Sequence, residues 1–310
     1  MNSSNRFILG TRGSPLALTQ ANEARRLLSQ ALGWPLDRIE LKVIRTSGDA
    51  IQDRPLAEVG GKGLFTKEID AALMAGEIDA AAHSAKDLPA ALPEGIALAG
   101  FLPREDVRDA LISALADTIE GLPKGATFGA ASVRRQAQAL RLRPDLNLKL
   151  LRGNVETRLR KAEAGDVGAT LLALAGLKRL GLDHRARAVL SVETFLPAAG
   201  QGAIALAARS ADARALHALS RIADEETFVA VTAERAFLAE LEGSCRTPIA
   251  ALARLETGRL KLRGQVLRPD GSESFEAAVE GAPADAARIG REAGRDLARR
   301  LPVDVLIRTA

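Results

Sequence analysis

The sequence predicts an α/β protein in three parts, two α/β domains followed by a small α+β domain. Three observations carry that reading. Strand-like and helix-like apolar spacing alternate from Arg6 onward. The alternation restarts after Pro103-Arg104-Glu105-Asp106. From about Ala223 it gives way to one helix and three alternating strands joined by turn residues. With 310 residues, 47% of them apolar and 26% charged, each part can bury a core.

Residues 6–11 read as an extended apolar strand. Ser14 then caps a helix with Pro15 at its first position, and Ala17, Ala21, Ala24, Leu28 and Ala31 recur at helical spacing. Residues 39–44 alternate as a second strand, 66–75 form a short helix, and 79–84 form a small-residue strand ending in a polar loop. Such alternation implies a parallel sheet. The second part repeats it: strand near 127–130, helix 132–142, strand 146–151, helix 155–164, strand 169–173. In the third, a helix to Leu241 precedes strands at 249–255, 260–267 and 274–279, with turns at Thr257-Gly258 and Pro269-Asp270-Gly271-Ser272 and a last helix over 283–301.

Composition excludes several functions. The longest uncharged run, residues 194–208, is 15 residues interrupted by Pro197, Gly200 and Gly202, short of the roughly 20 a membrane span needs. After Arg6 the apolar stretch lasts only Phe7-Ile8-Leu9, too short for a signal-peptide core, so a cytoplasmic protein with no membrane partner is expected. The single cysteine, Cys245, rules out a disulfide framework or a Cys-rich metal site within one chain. His83, His184 and His217 are too far apart for a metal-binding helix, so no metal is expected. Eight Phe, one Trp and no Tyr make a poor platform for stacking nucleic-acid bases. The formal charge of +4 conceals a segregation: residues 130–187 hold ten Arg and three Lys against five acidic residues, so the rest of the chain sums to −4. That segment wants anions.

Four loops carry candidate chemistry. Val59-Gly60-Gly61-Lys62-Gly63-Leu64-Phe65 lacks the spacing of a phosphate loop and reads either as a flexible glycine loop or as a cover over a ligand site. His83-Ser84-Ala85-Lys86-Asp87-Leu88-Pro89 follows a strand, where α/β sheets place ligand-binding groups; Asp87 can act there as an acid or base or hold a developing cation. Ser132-Val133-Arg134-Arg135 opens a helix, so backbone N–H groups and two guanidinium groups can meet an anion. Arg152-Gly153-Asn154 with Arg158, and Gly176-Leu177-Lys178-Arg179, repeat the arrangement near other strand ends. Cys245 lies in Glu242-Gly243-Ser244-Cys245-Arg246-Thr247-Pro248; a lone cysteine is most often a small buried hydrophobe, but the adjacent arginine and the lack of an apolar run are conditions that can lower a thiol pKa and expose it for covalent chemistry.

The loops 59–65 and 83–89 and the tripeptide Gly243-Ser244-Cys245, together with Thr11-Arg12-Gly13-Ser14-Pro15-Leu16-Ala17, Leu151-Arg152-Gly153-Asn154, Ala175-Gly176-Leu177-Lys178-Arg179-Leu180 and Gly200-Gln201-Gly202-Ala203, resemble the porphobilinogen deaminase (hydroxymethylbilane synthase) family. The resemblance implies two periplasmic-binding-protein-like doubly wound domains, 1–102 with 201–222 and 103–200, flanking a cleft, and a small α+β domain, 223–310. It implies a dipyrromethane cofactor held as a thioether on Cys245, with Ser84, Lys86, Ser132, Arg134 and Arg135 on its carboxylates. Arg12, Ser14, Arg152, Arg158, Arg179 and Gln201 are implied to serve porphobilinogen and the growing polypyrrole chain, and Asp87 to be catalytic.

The family's chemistry suits these residue types. Porphobilinogen loses ammonia to give an electron-poor azafulvene, the free α-carbon of the bound chain attacks it, and Asp87 would hydrogen-bond pyrrole N–H groups and stabilise positive charge. Four rounds and hydrolysis release a linear tetrapyrrole. A monomer with no nucleic-acid partner is expected. Two departures stand out: Ala130 and Ala131 occupy positions where the family commonly has hydroxyl residues, and Gly168 one where aspartate is common. A solute-binding protein would share the arginines but has no use for a loop cysteine. A nucleic-acid-binding or phosphate-binding regulator would use the basic segment, which here contains no aromatic residue.

Overall fold

We describe residues 6–50, 63–241, 247–302 and 304–305 of the chain in a computed structural model. The described residues divide into two compact units, one formed by those up to 105 together with 203–228, the other by 106–202 and those from 229 onward. In the first unit the chain runs through β1 (Phe7–Thr11), α1 (Pro15–Leu32), β2 (Ile39–Val43), α2 (Ser47–Ala50), α3 (Lys67–Met74), β3 (Ala80–Ser84) and β4 (Ile96–Phe101). It crosses to the second at β5 (Asp109–Ser113), β6 (Thr127–Gly129), α4 (Val133–Leu142), β7 (Asn147–Lys149), α5 (Val155–Glu163), β8 (Ala169–Ala173), α6 (Leu174–Arg179) and β9 (Ala188–Val189). It returns as β10 (Ile204–Arg209) and α7 (Ala213–Ser220), and α8 (Glu225–Glu240) leads into β11 (Ile249–Glu256), β12 (Arg259–Leu267), β13 (Ser274–Gly281) and α9 (Ala286–Arg300).

Both large sheets have five strands in matching order, β2-β1-β3-β10-β4 and β7-β6-β8-β5-β9. The parallel sheet expected from local alternation is corrected to a mixed one. β1, β2 and β3 run parallel, as do β6, β7 and β8, but β10 is antiparallel to β3 and β4, and β5 is antiparallel to β8 and β9. The reversed strand in each sheet comes from a segment that crosses between the units, which a local helix–strand rhythm does not reveal.

Helix α1 forms as its sequence dictates. Ser14 Oγ accepts from Ala17 N at 3.3 Å, Pro15 opens the helix, and Gly33 in the left-handed region (φ 63°) returns its N–H to the Ser29 carbonyl. Its buried face is Ala17, Gln20, Ala21, Ala24 and Leu28; Ala31, expected on the same stripe, is exposed, while the neighbouring Leu32 packs against the core. One face of the first sheet packs Phe7, Leu9, Ile204 and Leu206 on α1 and α7, and the other packs Ala81 and Ile78 on Ile69 and Leu73 of α3. In the second unit Phe128, Leu111 and Leu171 form one core with Phe195, and Leu159, Leu172 and Leu177 form another.

The last three strands make an antiparallel meander covered by α8 and α9. Its first turn, Thr257 (φ 49°) and Gly258 (φ 76°), puts both central residues at positive φ, the twist that a two-residue hairpin favours. Phe237 packs against Gly264, where a Cβ would stand 2.2 Å from the tip of the ring. No described helix is long and apolar enough to cross a membrane.

Helices α8 and α9 approach each other through Gly290 and Gly294. A Cβ at Gly290 would come within 2.2 Å of the Ala233 carbonyl oxygen and 2.7 Å of Ala236 Cβ, and one at Gly294 within 2.9 Å of the Phe237 carbonyl oxygen. Backbone cannot swing aside as a side chain can, so Gly290→Ala must push the helices apart at a cost of about 1–3 kcal/mol. Urea unfolding is expected to show that loss as a lower midpoint. An unchanged midpoint would mean the contact has no energetic weight.

Candidate functional site

In the first unit the ends of β1 and β3 carry a polar cluster. Arg12, one residue beyond β1, donates from Nε to Asp49 Oδ2 at 3.1 Å and from Nη2 to Asp49 Oδ1, while its Nη1 lies 3.6 Å from Asp87 Oδ2. Its guanidinium stacks over the Phe65 ring, 4.1 Å from the centroid. Phe65 reaches that position because Gly48 has no side chain: a Cβ there would be 2.5 Å from the ring. Asp49 also accepts from Thr46 Oγ1 at 2.8 Å. Burial opposes charge on both partners, yet their mutual hydrogen bonds prevail, raising the Arg12 pKa and lowering that of Asp49. The ion pair is therefore permanent in the physiological range.

Asp87 sits in the single 3₁₀ turn, Ala85–Asp87, that follows β3, with its side chain 30% exposed. Among the described residues no group donates a hydrogen bond to its carboxylate; Arg12 holds it by charge alone. Ser84 faces the other way, its Oγ 3.0 Å from Nε2 and 3.1 Å from Oε1 of the buried Gln20. Lys86 is exposed, and Ser14 is the cap of α1. Of the predicted residues in this unit, the structure thus brings Arg12 and Asp87 together and leaves the Ser84 hydroxyl on Gln20.

The second unit holds a different arrangement. Ser132 caps α4, its Oγ accepting from Arg135 N at 3.5 Å. Arg134 and Arg135, expected to face an anion, are 4% and 6% exposed and converge on Asp109, which is fully buried. Arg134 Nη2 donates to Asp109 Oδ2 at 2.8 Å, and Arg135 donates to Oδ1 from Nη2 at 2.6 Å and from Nε at 3.2 Å. Gln201 Nε2 adds a bond of 3.1 Å to Oδ1 and one of 2.8 Å to the Val107 carbonyl. Arg134 Nη1 reaches the Leu196 carbonyl at 2.7 Å, but its buried Nε has no partner among the described residues. Burial, with Arg135 alongside, lowers the Arg134 pKa, which Asp109 counters.

The remaining arginines meet backbone at turns. Arg158 Nε donates to the Gly153 carbonyl at 2.8 Å and Arg179 Nη2 to that of Gly202 at 3.1 Å, while Arg152 is buried beside Gly153. Gly153 takes a φ of 118°, and Asn154 caps α5 through Thr157 N at 2.8 Å. Ala130 packs in the apolar core around Phe128. Gly168 gives its carbonyl to Ser113 Oγ at 2.8 Å, and a Cβ there would stand 2.8 Å from the tip of the exposed Leu115 side chain, which can move aside, so nothing in the structure explains the glycine. Cys245 and Lys62 lie outside the described residues. Sequence reasoning missed Asp49, Gln20 and Asp109; Phe65 was visible in its glycine loop.

His83, on β3, is buried with Nε2 unpartnered among the described residues, and burial together with the Arg12 charge pushes its pKa down to about 4. The sign follows from linkage. Below the ordinary value of 6.5 the unfolded chain takes up a proton that the folded one refuses until about pH 4, so stability is lost across that window. The loss reaches about 3 kcal/mol at about 1.4 kcal/mol per unit. Denaturation midpoints between pH 7 and 4 are expected to fall less steeply in His83→Gln than in the wild type; parallel slopes would contradict this.

Comparison with known proteins shows the family. Residues 7–217 match the family domain described as porphobilinogen deaminase, dipyromethane cofactor binding domain, and residues 228–299 match the porphobilinogen deaminase C-terminal domain. A porphobilinogen deaminase from Nitrobacter hamburgensis is 58% identical over 94% of this chain and 92% of its own. One from Paracoccus denitrificans is 52% identical over 96% and 95%. Among solved structures, the second substrate binding domain of a putative amino acid ABC transporter from Streptococcus pneumoniae aligns with a TM-score of 0.43 at 14% identity, over 77% of this chain and 95% of its own. A periplasmic substrate-binding protein of an ABC transporter from Coxiella burnetii gives 0.42 at 15%, over 70% and 91%. Matched by both family domains in order, and more than half identical to named deaminases along nearly its whole length, the chain belongs to the porphobilinogen deaminase family.

Proposed function

We propose that Asp87 is the catalytic carboxylate of this enzyme and that its arginines divide between cofactor and substrate. The chain is a transferase of tetrapyrrole biosynthesis that deaminates four porphobilinogen molecules and joins them into hydroxymethylbilane on a dipyrromethane primer. The observation that carries the assignment is the setting of Asp87: at a strand end, part-exposed, 3.6 Å from Arg12 Nη1, and with no donor among the described residues consuming its lone pairs. Such a carboxylate can accept from pyrrole N–H groups and stabilise positive charge that develops on the ring. Arg12, already committed to Asp49 through two nitrogens, anchors Asp87 without neutralising it through a close hydrogen bond.

The cofactor, when bound, supplies the free pyrrole α-carbon on which the chain is built. We infer that Cys245 anchors it and that Ser84, Lys86, Ser132, Arg134 and Arg135 hold its carboxylates. The donor set fits: two buried guanidinium groups share one carboxylate, and the buried Arg134 Nε has an N–H with no partner among the described residues. Ser132 and Ser14 accept as caps but still have an O–H to donate. Arg12, Ser14, Arg152, Arg158, Arg179 and Gln201 are assigned to the acetate and propionate groups of substrate and growing chain. Part of the same proposal is a cytoplasmic monomer without a nucleic-acid partner, organised as domains 1–102 with 201–222, 103–200 and 223–310.

Two measurements test these assignments. Asp87→Asn is expected to retain its cofactor by intact mass while turnover falls on the order of 10²-fold or more, the effect of removing a charge matched to the transition state. Near-normal turnover of a loaded variant would end the catalytic role. Cys245→Ala is expected to fold, to show the mass of the bare chain and to be inactive; an adduct of two pyrrole rings on that variant would place the anchor elsewhere.

A further inference from the structure

Three of the assigned ligand-binding side chains, Arg134, Arg135 and Gln201, meet at Asp109. It opens β5 with no exposed surface, and Arg134, Arg135 and Gln201 direct four N–H bonds at its two oxygens. Two guanidinium groups on successive residues of α4 repel each other when taken out of water, and burial of each carries a large desolvation cost. One carboxylate between them makes their proximity tolerable. It also leaves the pair with one positive charge more than the carboxylate cancels, and with the buried Arg134 Nε unmatched among the described residues.

We propose that Asp109 is a positioning residue for cofactor loading: it holds Arg134, Arg135 and Gln201 in fixed orientations so that the excess charge of the arginine pair is presented, preorganised, to a carboxylate of the pyrrole primer. Asp109 itself, acceptor-only and already engaged, repels that carboxylate and makes no contact with it. Its contribution is orientational, since a bidentate guanidinium gains its strength from a planar geometry fixed before the ligand arrives. The inference rests on the reading that Arg134 and Arg135 hold cofactor carboxylates.

Charge and position make opposite forecasts, which renders the idea testable. Asp109→Asn keeps the shape and removes the negative charge. If Asp109 served only to offset charge, the variant, one unit more positive, would load an anionic primer at least as fully as the wild type. If it positions the arginines, the ratio of loaded to unloaded chain by intact mass falls at least tenfold, and adding Arg135→Leu causes little further loss because the two changes disable one assembly. Asp109→Glu provides a second arm: charge is kept while the carboxylate is displaced by one methylene, so loading is expected to fall here too, whereas charge balance alone would leave it normal.

Folding is checked separately by comparing thermal midpoints of Asp109→Asn and wild type, both in a Cys245→Ala background, where bound cofactor cannot influence the midpoint. Reduced loading with a midpoint within a few degrees supports positioning. Reduced loading accompanied by a collapse of the midpoint overturns it in favour of a purely structural role, as does normal loading of either variant. Full loading of Arg134→Leu and Arg135→Leu would instead remove the underlying reading of the arginines, and the proposal with it.

Discussion

A carboxylate with no exposed surface, shared by two guanidinium groups, is the constraint around which the second unit is organised. Asp109 lies where the chain first enters that unit, Gln201 where it leaves, and Arg134 and Arg135 at the start of the helix between. One buried anion thus ties both crossing segments to α4. The Leu196 backbone is drawn into the same knot, its carbonyl accepting from Arg134 and Gln138 and its N–H donating to Gln138. Buried ionic groups of this kind are weak evidence for stability, because hydrophobic replacements often do as well. On the proposed reading, this one orients its arginines for a ligand.

The two clusters have opposite electrostatic designs. Around Arg12 one guanidinium stands between two carboxylates, one bound through close hydrogen bonds and the other held at 3.6 Å. That arrangement suits a cation forming on a pyrrole ring. Around Asp109 one carboxylate stands between two guanidinium groups, which suits an anion. A reaction that generates positive charge on an electron-rich ring while handling many carboxylates needs both, and the segregated basic segment of the sequence supplies the second.

Much of the fold was legible because its signals are local. The Ser14-Pro15 cap, the Thr257-Gly258 turn and the apolar run of β8 each declare themselves within a few residues. The reversed strands β5 and β10 were not legible, since their direction depends on where the chain returns from rather than on their own pattern. Within the candidate site, Arg12 and Asp87 were readable from loops at strand ends. Asp109 was not: an aspartate opening the strand Asp-Ala-Leu-Ile-Ser reads as a solvated start, and only the spatial return of Arg134, 25 residues later, shows that it is buried. Asp49 was hidden similarly, 37 residues from the arginine it holds.

On the proposed reading, Asp109 fixes Arg134 and Arg135 before the primer arrives. A crystal structure of the cofactor-loaded enzyme tests it most directly. Arg134 and Arg135 are expected to keep their bonds to Asp109 while a primer carboxylate takes the remaining guanidinium N–H groups. Arginines swung away from Asp109 to reach the primer, or primer carboxylates bound without either arginine, would contradict it.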